Sequence, residues 1–242
     1  MTAKPALLAG FYGKVPAFAD FVHRRLPMSF IEPWGAWLDH SLAESRAQIG
    51  ERWVEIYLSS PPWRFALDPG VAGPPGWLGV IASSVDEVRR CYPITVALST
   101  TPDLALRDLT GDLDPLYKTL EATALALIDG GAPPDTAMVR LDELASSAAL
   151  SGAANLSRGA NERLRMGAAY GSVAAMAADL GADFIAPAVS SPALTAWWHG
   201  GFRDRPAASL VVAGLPSADL FASFLDGLWR NRGFSQRMGA SA

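Results

Sequence analysis

The sequence predicts an α/β (α+β) protein: a single domain with a mixed, mainly antiparallel β-sheet flanked by helices on its faces. Short runs rich in aromatic and β-branched residues, the composition of strands, recur at 7–12, 53–58, 63–67, 77–82, 92–98, 193–199 and 208–213. Apolar residues at three- and four-residue spacing, the mark of a helix face, fill 30–49, 116–128 and 134–149. The two kinds of element do not alternate regularly, which argues against a wholly parallel sheet. At 242 residues, half of them hydrophobic and 18% charged, the chain is long and apolar enough for one large core.

Taken in order, Leu7, Leu8, Ala9, Gly10, Phe11 and Tyr12 read as a short buried strand ended by Gly13. A turn then runs through Pro16 to Pro27. Ser29 and Glu32 have capping-box spacing ahead of a long helix whose buried face is Phe30, Ile31, Trp34, Trp37, Leu38, Leu42 and Ile49, stopped by Gly50. The runs 53–58 and 63–67, separated by Ser59, Ser60, Pro61 and Pro62, are expected as antiparallel neighbours, with 77–82 a third strand. Gly70, Gly73, Gly76 and Gly79 fall every three residues, but no Lys-Ser or Lys-Thr follows, so they read as turn glycines rather than a phosphate loop.

Ser84 and Glu87 repeat the capping-box spacing and predict a short helical turn; 92–98 follows as a strand. Asp114-Pro115 marks a helix start, and a further helix is expected over about 134–149. The small, polar stretch 151–163 reads as a loop, and 164–180 as a helix weakened by Gly167 and Gly171. Trp197 and Trp198, adjacent in a strand, point to opposite faces of the sheet. A last helix is expected over 219–229, ahead of a polar tail.

Charge and composition exclude several functions. A net charge of −4 lacks the basic footprint that nucleic acid requires. A single cysteine, Cys91, forms no intrachain disulfide and no thiolate zinc site; it suits a reducing cytoplasm and reads as a small core residue. The apolar N-terminal stretch is interrupted by Lys14 and Pro16, so no secretory leader is expected. The Ala-rich run 166–189 contains Asp179 and Asp183, so no membrane span is expected either.

His23, His40 and His199 have no partner at ligand spacing, so no metal and no cofactor is expected. Asp20 and His23 would share a face if helical and form an acid–base pair, but Asp20 can equally pair with Arg24, and no nucleophile completes a catalytic set. Eight tryptophans supply a large aromatic core, with Trp34, Trp53 and Trp77 assigned to it. Trp63-Arg64-Phe65, with Lys14, Arg24 and Arg25, has the residue types of a protein-binding anchor.

The ordered motifs Phe11-Tyr12-Gly13-Lys14-Val15-Pro16, Asp20-Phe21-Val22-His23-Arg24-Arg25-Leu26-Pro27, Trp34-Gly35-Ala36-Trp37-Leu38, Pro62-Trp63-Arg64-Phe65, Ser84-Val85-Asp86 and Tyr92-Pro93-Ile94-Thr95 resemble the TagF (ImpM) family of bacterial type VI secretion systems. Three sites depart from the family pattern: Ala19 where Gly is usual, Ser83 where Pro is usual, and Arg89 where Gly is usual. The resemblance implies a mixed α/β fold over 1–230, with core motifs in 11–98, a variable middle at about 102–192, C-terminal strands and a helix in 193–230, and a tail 231–242. It further implies a cytoplasmic, non-enzymatic, post-translational repressor that binds a forkhead-associated scaffold protein. Candidate contact residues are Lys14, Asp20, Phe21, Arg24, Arg64 and Asp86. The competing expectations are a hydrolase-like enzyme using Asp20 and His23, and a structural component of the apparatus.

Overall fold

The computed structural model describes residues 7–101, 109–110, 113–130, 133–147, 151–152, 163–166, 193–203, 205–232 and 236–238. Its strands are β1 (Ala9–Gly13), β2 (Val22–Arg24), β3 (Trp63–Leu67), β4 (Trp77–Ala82), β5 (Ile94–Ser99), β6 (Leu109–Thr110), β7 (Ser151–Gly152), β8 (Arg163–Met166), β9 (Leu194–His199), β10 (Ala208–Ala213) and β11 (Gln236–Met238). Nine of these form one sheet in the order β11-β8-β10-β9-β3-β4-β5-β1-β2, and β6 pairs with β7 apart from it. Every pairing in the large sheet is antiparallel except β11 with β8, so the sheet is mixed and mainly antiparallel as the sequence predicts. No described helix is long and apolar enough to cross a membrane.

The sheet is apolar on both faces, which is why its strands read as near-continuous hydrophobic runs rather than alternating ones. One face carries Phe11, Leu78, Val80, Ile94, Val96, Leu98 and Trp198 against helices α3 (Asp114–Ile128) and α4 (Pro134–Ser147). The other carries Phe65, Trp77, Trp197, Leu210 and Val212 against α1 (Met28–Ile49), α2 (Trp53–Leu58) and α5 (Phe221–Asp226). Trp197 and Trp198 therefore do lie on opposite faces. The result is a three-layer sandwich.

Helix α1 is the spine of the second face. Phe30, Trp34 and Leu38 are fully buried, each side chain contributing about 1.5–3 kcal/mol of transfer free energy. The Trp34 indole donates to Thr95 Oγ1 at 2.9 Å and lies 4.7 Å from the Phe65 ring. Trp53 and Trp77 likewise find partners, at Ser45 Oγ and the Ala72 carbonyl, so burial leaves none of these three N–H groups orphaned. The expected capping box is absent. The helix starts two residues earlier than that reading requires, Pro27 is the N-cap, and no side chain caps it. Pro33 sits inside the helix, where its missing N–H cannot reach Ser29; a Cβ on Gly73, whose φ is +86°, would approach that Ser29 carbonyl to 3.0 Å.

Further local expectations change. The run 53–58 is helix α2, not a strand: Trp53 and Tyr57, one turn apart, stack at 4.8 Å and bury together, while Val54, Glu55 and Leu58 face out. Residues 84–87 form no helical turn; they enter a tight loop closed by a Val85–Cys91 bridge. Arg163–Met166 is strand β8 where a helix was expected from 164, and the rest of that expected helix lies outside the described residues. The expected helix over 219–229 is broken: Gly227, in the left-handed region at φ +73°, ends α5. In the polar tail, Gln236–Met238 joins the sheet as β11. Asp114 opens α3 as expected, but as its first residue rather than its cap.

Candidate partner-binding site

The most organised surface lies where the β1–β2 hairpin meets the 85–91 loop. Two glycines let the backbones close. A Cβ on Gly10 would lie 2.1 Å from the Arg24 carbonyl oxygen, and one on Gly13 (φ +145°) 2.2 Å from that of Pro93. Immediately after Gly13, the Lys14 side chain is buried, 7% exposed, and its Nζ donates to Asp86 Oδ2 at 2.9 Å. Arg90 Nε donates to the same oxygen at 2.6 Å. Asp86 Oδ1 accepts the backbone N–H groups of Val88 (3.1 Å) and Arg90 (2.7 Å).

Burial alone would raise the Asp86 carboxyl. The Lys14 ammonium and the Arg90 backbone and guanidinium donors outweigh that effect and hold it well below the ordinary carboxylate range. A carboxylate with four donors is a fixed post, and the loop is built around it. The 15–21 segment is then tied down, because Glu87 N–H donates to the Phe18 carbonyl at 3.0 Å and the Arg90 guanidinium bonds the Ala19 carbonyl.

What this frame presents to solvent is aromatic and aliphatic. Phe21 stacks on Tyr12 at 5.5 Å, meets Tyr92 edge-on at 4.7 Å, and has Lys14 Nζ 5.1 Å from its centroid. One face of its ring is thereby fixed while the side chain stays 43% exposed. Phe18 (40%) and Val88 (61%) are exposed on the two segments that this frame ties together. Burial, with Tyr12 and Asp39 nearby, pushes the Tyr92 hydroxyl far above its usual range, and it makes no hydrogen bond of ordinary geometry. Arg89 stands at the loop tip with φ +67°, in the left-handed region, and is exposed.

Of the six sequence-derived candidates, Lys14, Phe21 and Asp86 converge in this cluster. Asp20 is exposed beside it and caps the N–H of Phe21 at 2.7 Å. Arg24, on β2, reaches Asp135 of α4 at 3.7 Å. Arg64 is elsewhere: it lies on the α3 face, 13% exposed at the side chain, held by Asp114 and Glu121 at 2.8 Å each. Its burial disfavours the charge, but the two carboxylates more than compensate and raise its pKa. Trp63, expected to accompany it as an anchor, is core, its indole donating to the Phe224 carbonyl at 3.0 Å.

Sequence does not single out Phe18 and Val88, because exposure has no local signature; Arg89 stands out only as a departure from the family's usual Gly, and its φ of +67° is a conformation that Gly adopts most easily. Asp20 and His23 do not form a pair. His23 belongs to strand β2 and its Nε2 contacts the Leu26 carbonyl at 2.5 Å, while Asp20 is turned to its own backbone. Cys91 is half-buried, and burial pushes its thiol up despite Arg46 and Arg89, so it is not an activated nucleophile. Among the described residues no group of three metal-ligating side chains occurs.

Fold and site thus define a mixed α/β sandwich that presents a pinned aromatic loop. Residues 10–144 match the TagF N-terminal domain, described as type VI secretion system-associated. The chain belongs to the TagF family. Its fold is also that of PA0076 from Pseudomonas aeruginosa PAO1, whose crystal structure aligns with a TM-score of 0.67 at 29% identity, covering 90% of this chain and 94% of that one. No curated protein matches the chain.

Proposed function

We propose that the chain is a cytoplasmic, non-enzymatic accessory protein that restrains a type VI secretion system after translation, by binding a forkhead-associated scaffold component. The contact surface is the loop pair bearing Phe18, Phe21, Val88 and Arg89, flanked by Asp20 and Arg24. Lys14 and Asp86 serve it from beneath. The observation that carries this reading is the Lys14–Asp86–Arg90 frame, because it preorders exposed aromatic and aliphatic groups beside an arginine. Preordered aromatic and arginine side chains lower the entropic cost of association and are the residue types that dominate binding energy.

Type VI association through the family supports the class of partner, and the resemblance supports the scaffold as its identity. Arg64 enters only indirectly, since Asp114 and Glu121 already occupy its guanidinium. The test is a pull-down of the purified cognate scaffold by the folded chain and by a Phe18→Ala/Phe21→Ala variant. Capture by the parent and loss in the variant is expected. Equal capture by both would remove the loop from the interface, and no capture by either would remove the scaffold as partner.

A further inference from the structure

Where α1 passes the two tyrosines that hold Phe21, hydrogen-bond acceptors gather without a cation. A Cβ on Gly35 would lie 3.6 Å from the Tyr12 hydroxyl and 3.9 Å from that of Tyr92. Two phenols, one on β1 and one just ahead of β5, thus converge on the glycine of α1. Asp39 stands one turn further along the helix and is exposed. Burial is the main reason that both phenols sit above their usual range, and the Asp39 charge adds to it. Both therefore stay protonated at neutral pH.

Tyr92 is only 5% exposed, yet its hydroxyl makes no hydrogen bond of ordinary geometry. A buried hydroxyl in that position is costly, and such groups ordinarily find a partner. The carboxylate beside it also lacks a cation among the described residues. On α1 the positions that face Asp39, three and four residues away, are Gly35, Ala36, Leu42 and Ala43, none of them basic. The basic side chains of the surrounding elements are committed elsewhere. Lys14 and Arg90 both donate to Asp86, and Arg46, two turns along α1, has its Cζ 4.3 Å from the Trp53 ring centroid. Two phenol oxygens and one carboxylate therefore offer acceptors to a donor that the described fold does not supply.

We infer that Asp39 receives an arginine side chain of the bound partner protein, its guanidinium forked onto the carboxylate and reaching the Tyr12 hydroxyl beside the exposed ring of Phe21. This rests on the partner-binding reading above and extends that surface from the loop onto α1. The three rings stay packed as they are, because the guanidinium comes to an exposed carboxylate from the solvent side and needs no cavity. Arginine suits the place better than lysine. Its planar fork delivers two parallel N–H groups to a carboxylate and has further donors for a phenol oxygen, and it lies readily against an aromatic edge.

The experiment is an amide chemical-shift titration of the intact chain, at constant ionic strength, with N-acetylarginine amide and with its neutral isostere N-acetylcitrulline amide. For so small a probe a Kd on the order of 10 mM is expected, with saturable shifts centred on Phe21, Gly35 and Asp39. The citrulline probe should bind about tenfold more weakly. Asp39→Asn should bring arginine down to that level, whereas Glu143→Gln, an equal change of charge at an exposed position of α4 across the sheet, should not. No saturable shift by about 100 mM arginine probe, or equal binding of the two probes by the parent chain, overturns the site without requiring any variant to fold. Equal binding of N-acetyllysine amide overturns the guanidinium assignment. Capture of the scaffold with the same affinity by the parent and by Asp39→Asn removes this contact from the interface. A scaffold that the parent itself fails to capture removes the proposed partner instead, and the arginine titration still decides the site.

Discussion

Lys14 and Asp86 lie 72 residues apart in sequence and meet in a buried 2.9 Å ion pair beneath the exposed ring of Phe21. The pair ties the end of β1 to the loop before β5, and so fixes two segments that would otherwise be independent. Because the Asp86 carboxyl is held low in the folded state, its ionisation contributes stability above the unfolded carboxylate pKa of about 3.9, and that contribution is lost as pH falls further. Asp86→Asn should therefore be less stable than the parent at pH 7, and the gap in denaturant midpoint should shrink below about pH 4. A gap that stays constant down to acid pH would show that Asp86 is not the titrating post.

Arg89 occupies a left-handed backbone conformation at an exposed tip, where Asn or Gly is easier to accommodate. The proposed contact surface includes this arginine, whose backbone conformation a smaller residue would adopt more easily. Arg89→Asn should raise stability by about 0.5 kcal/mol while weakening scaffold capture by about 2 kcal/mol, the effect of removing an arginine hot spot. Opposite signs in thermal unfolding and binding are the signature. Loss of stability, or unchanged binding, would return Arg89 to the status of an ordinary turn residue.

Much of this architecture was legible, and the failures have local causes. Helix α1 was readable because its apolar spacing runs over five turns, and β3, β4, β5, β9 and β10 because their runs are buried on both faces. Trp53 to Leu58 misled because a six-residue aromatic and β-branched run fits either state; only the shared burial of Trp53 and Tyr57 decides it, with the Tyr57 hydroxyl donating to the Ser84 carbonyl at 2.9 Å. Ser84 to Glu87 misled for a different reason. Asp86 has capping chemistry in sequence, but its partner is Lys14, and no local window contains both. Phe21 and Asp86 are named through family resemblance and Lys14 also by its charge, whereas Phe18 and Val88 are visible only through their exposure.

Phe18 and Phe21 differ in how much the fold depends on them. Phe18 makes no ring contact with another described aromatic, so Phe18→Ala should change stability by less than about 0.5 kcal/mol. Phe21 stacks on Tyr12 and meets Tyr92 edge-on, and its loss should cost about 1–2 kcal/mol from partial burial and ring contacts. Both substitutions should weaken scaffold binding well beyond their effect on unfolding. Calorimetric titration at a temperature where both variants remain folded separates the two effects. If binding falls only in proportion to stability, the rings support the fold and not the contact.

Arg64 gives the converse case. Its guanidinium holds Asp114 and Glu121 of α3 against β3, and its Cζ lies 5.5 Å from the Tyr117 ring centroid. Arg64→Met keeps much of the side-chain volume but removes the guanidinium from two partly buried carboxylates, while Lys118 stays paired to Asp114 at 2.7 Å. Discounted for the solvent access of both acids, the loss should be about 1–2 kcal/mol. It should appear as a lower unfolding midpoint with scaffold affinity unchanged. Neutralising the acids as well, with Asp114→Asn and Glu121→Gln in the Arg64→Met background, should recover most of the stability, because the uncompensated charges are what the single substitution exposes. Affinity lost in the folded Arg64→Met protein, and not recovered in the triple variant, would place the guanidinium in the interface and extend the contact surface to the α3 face.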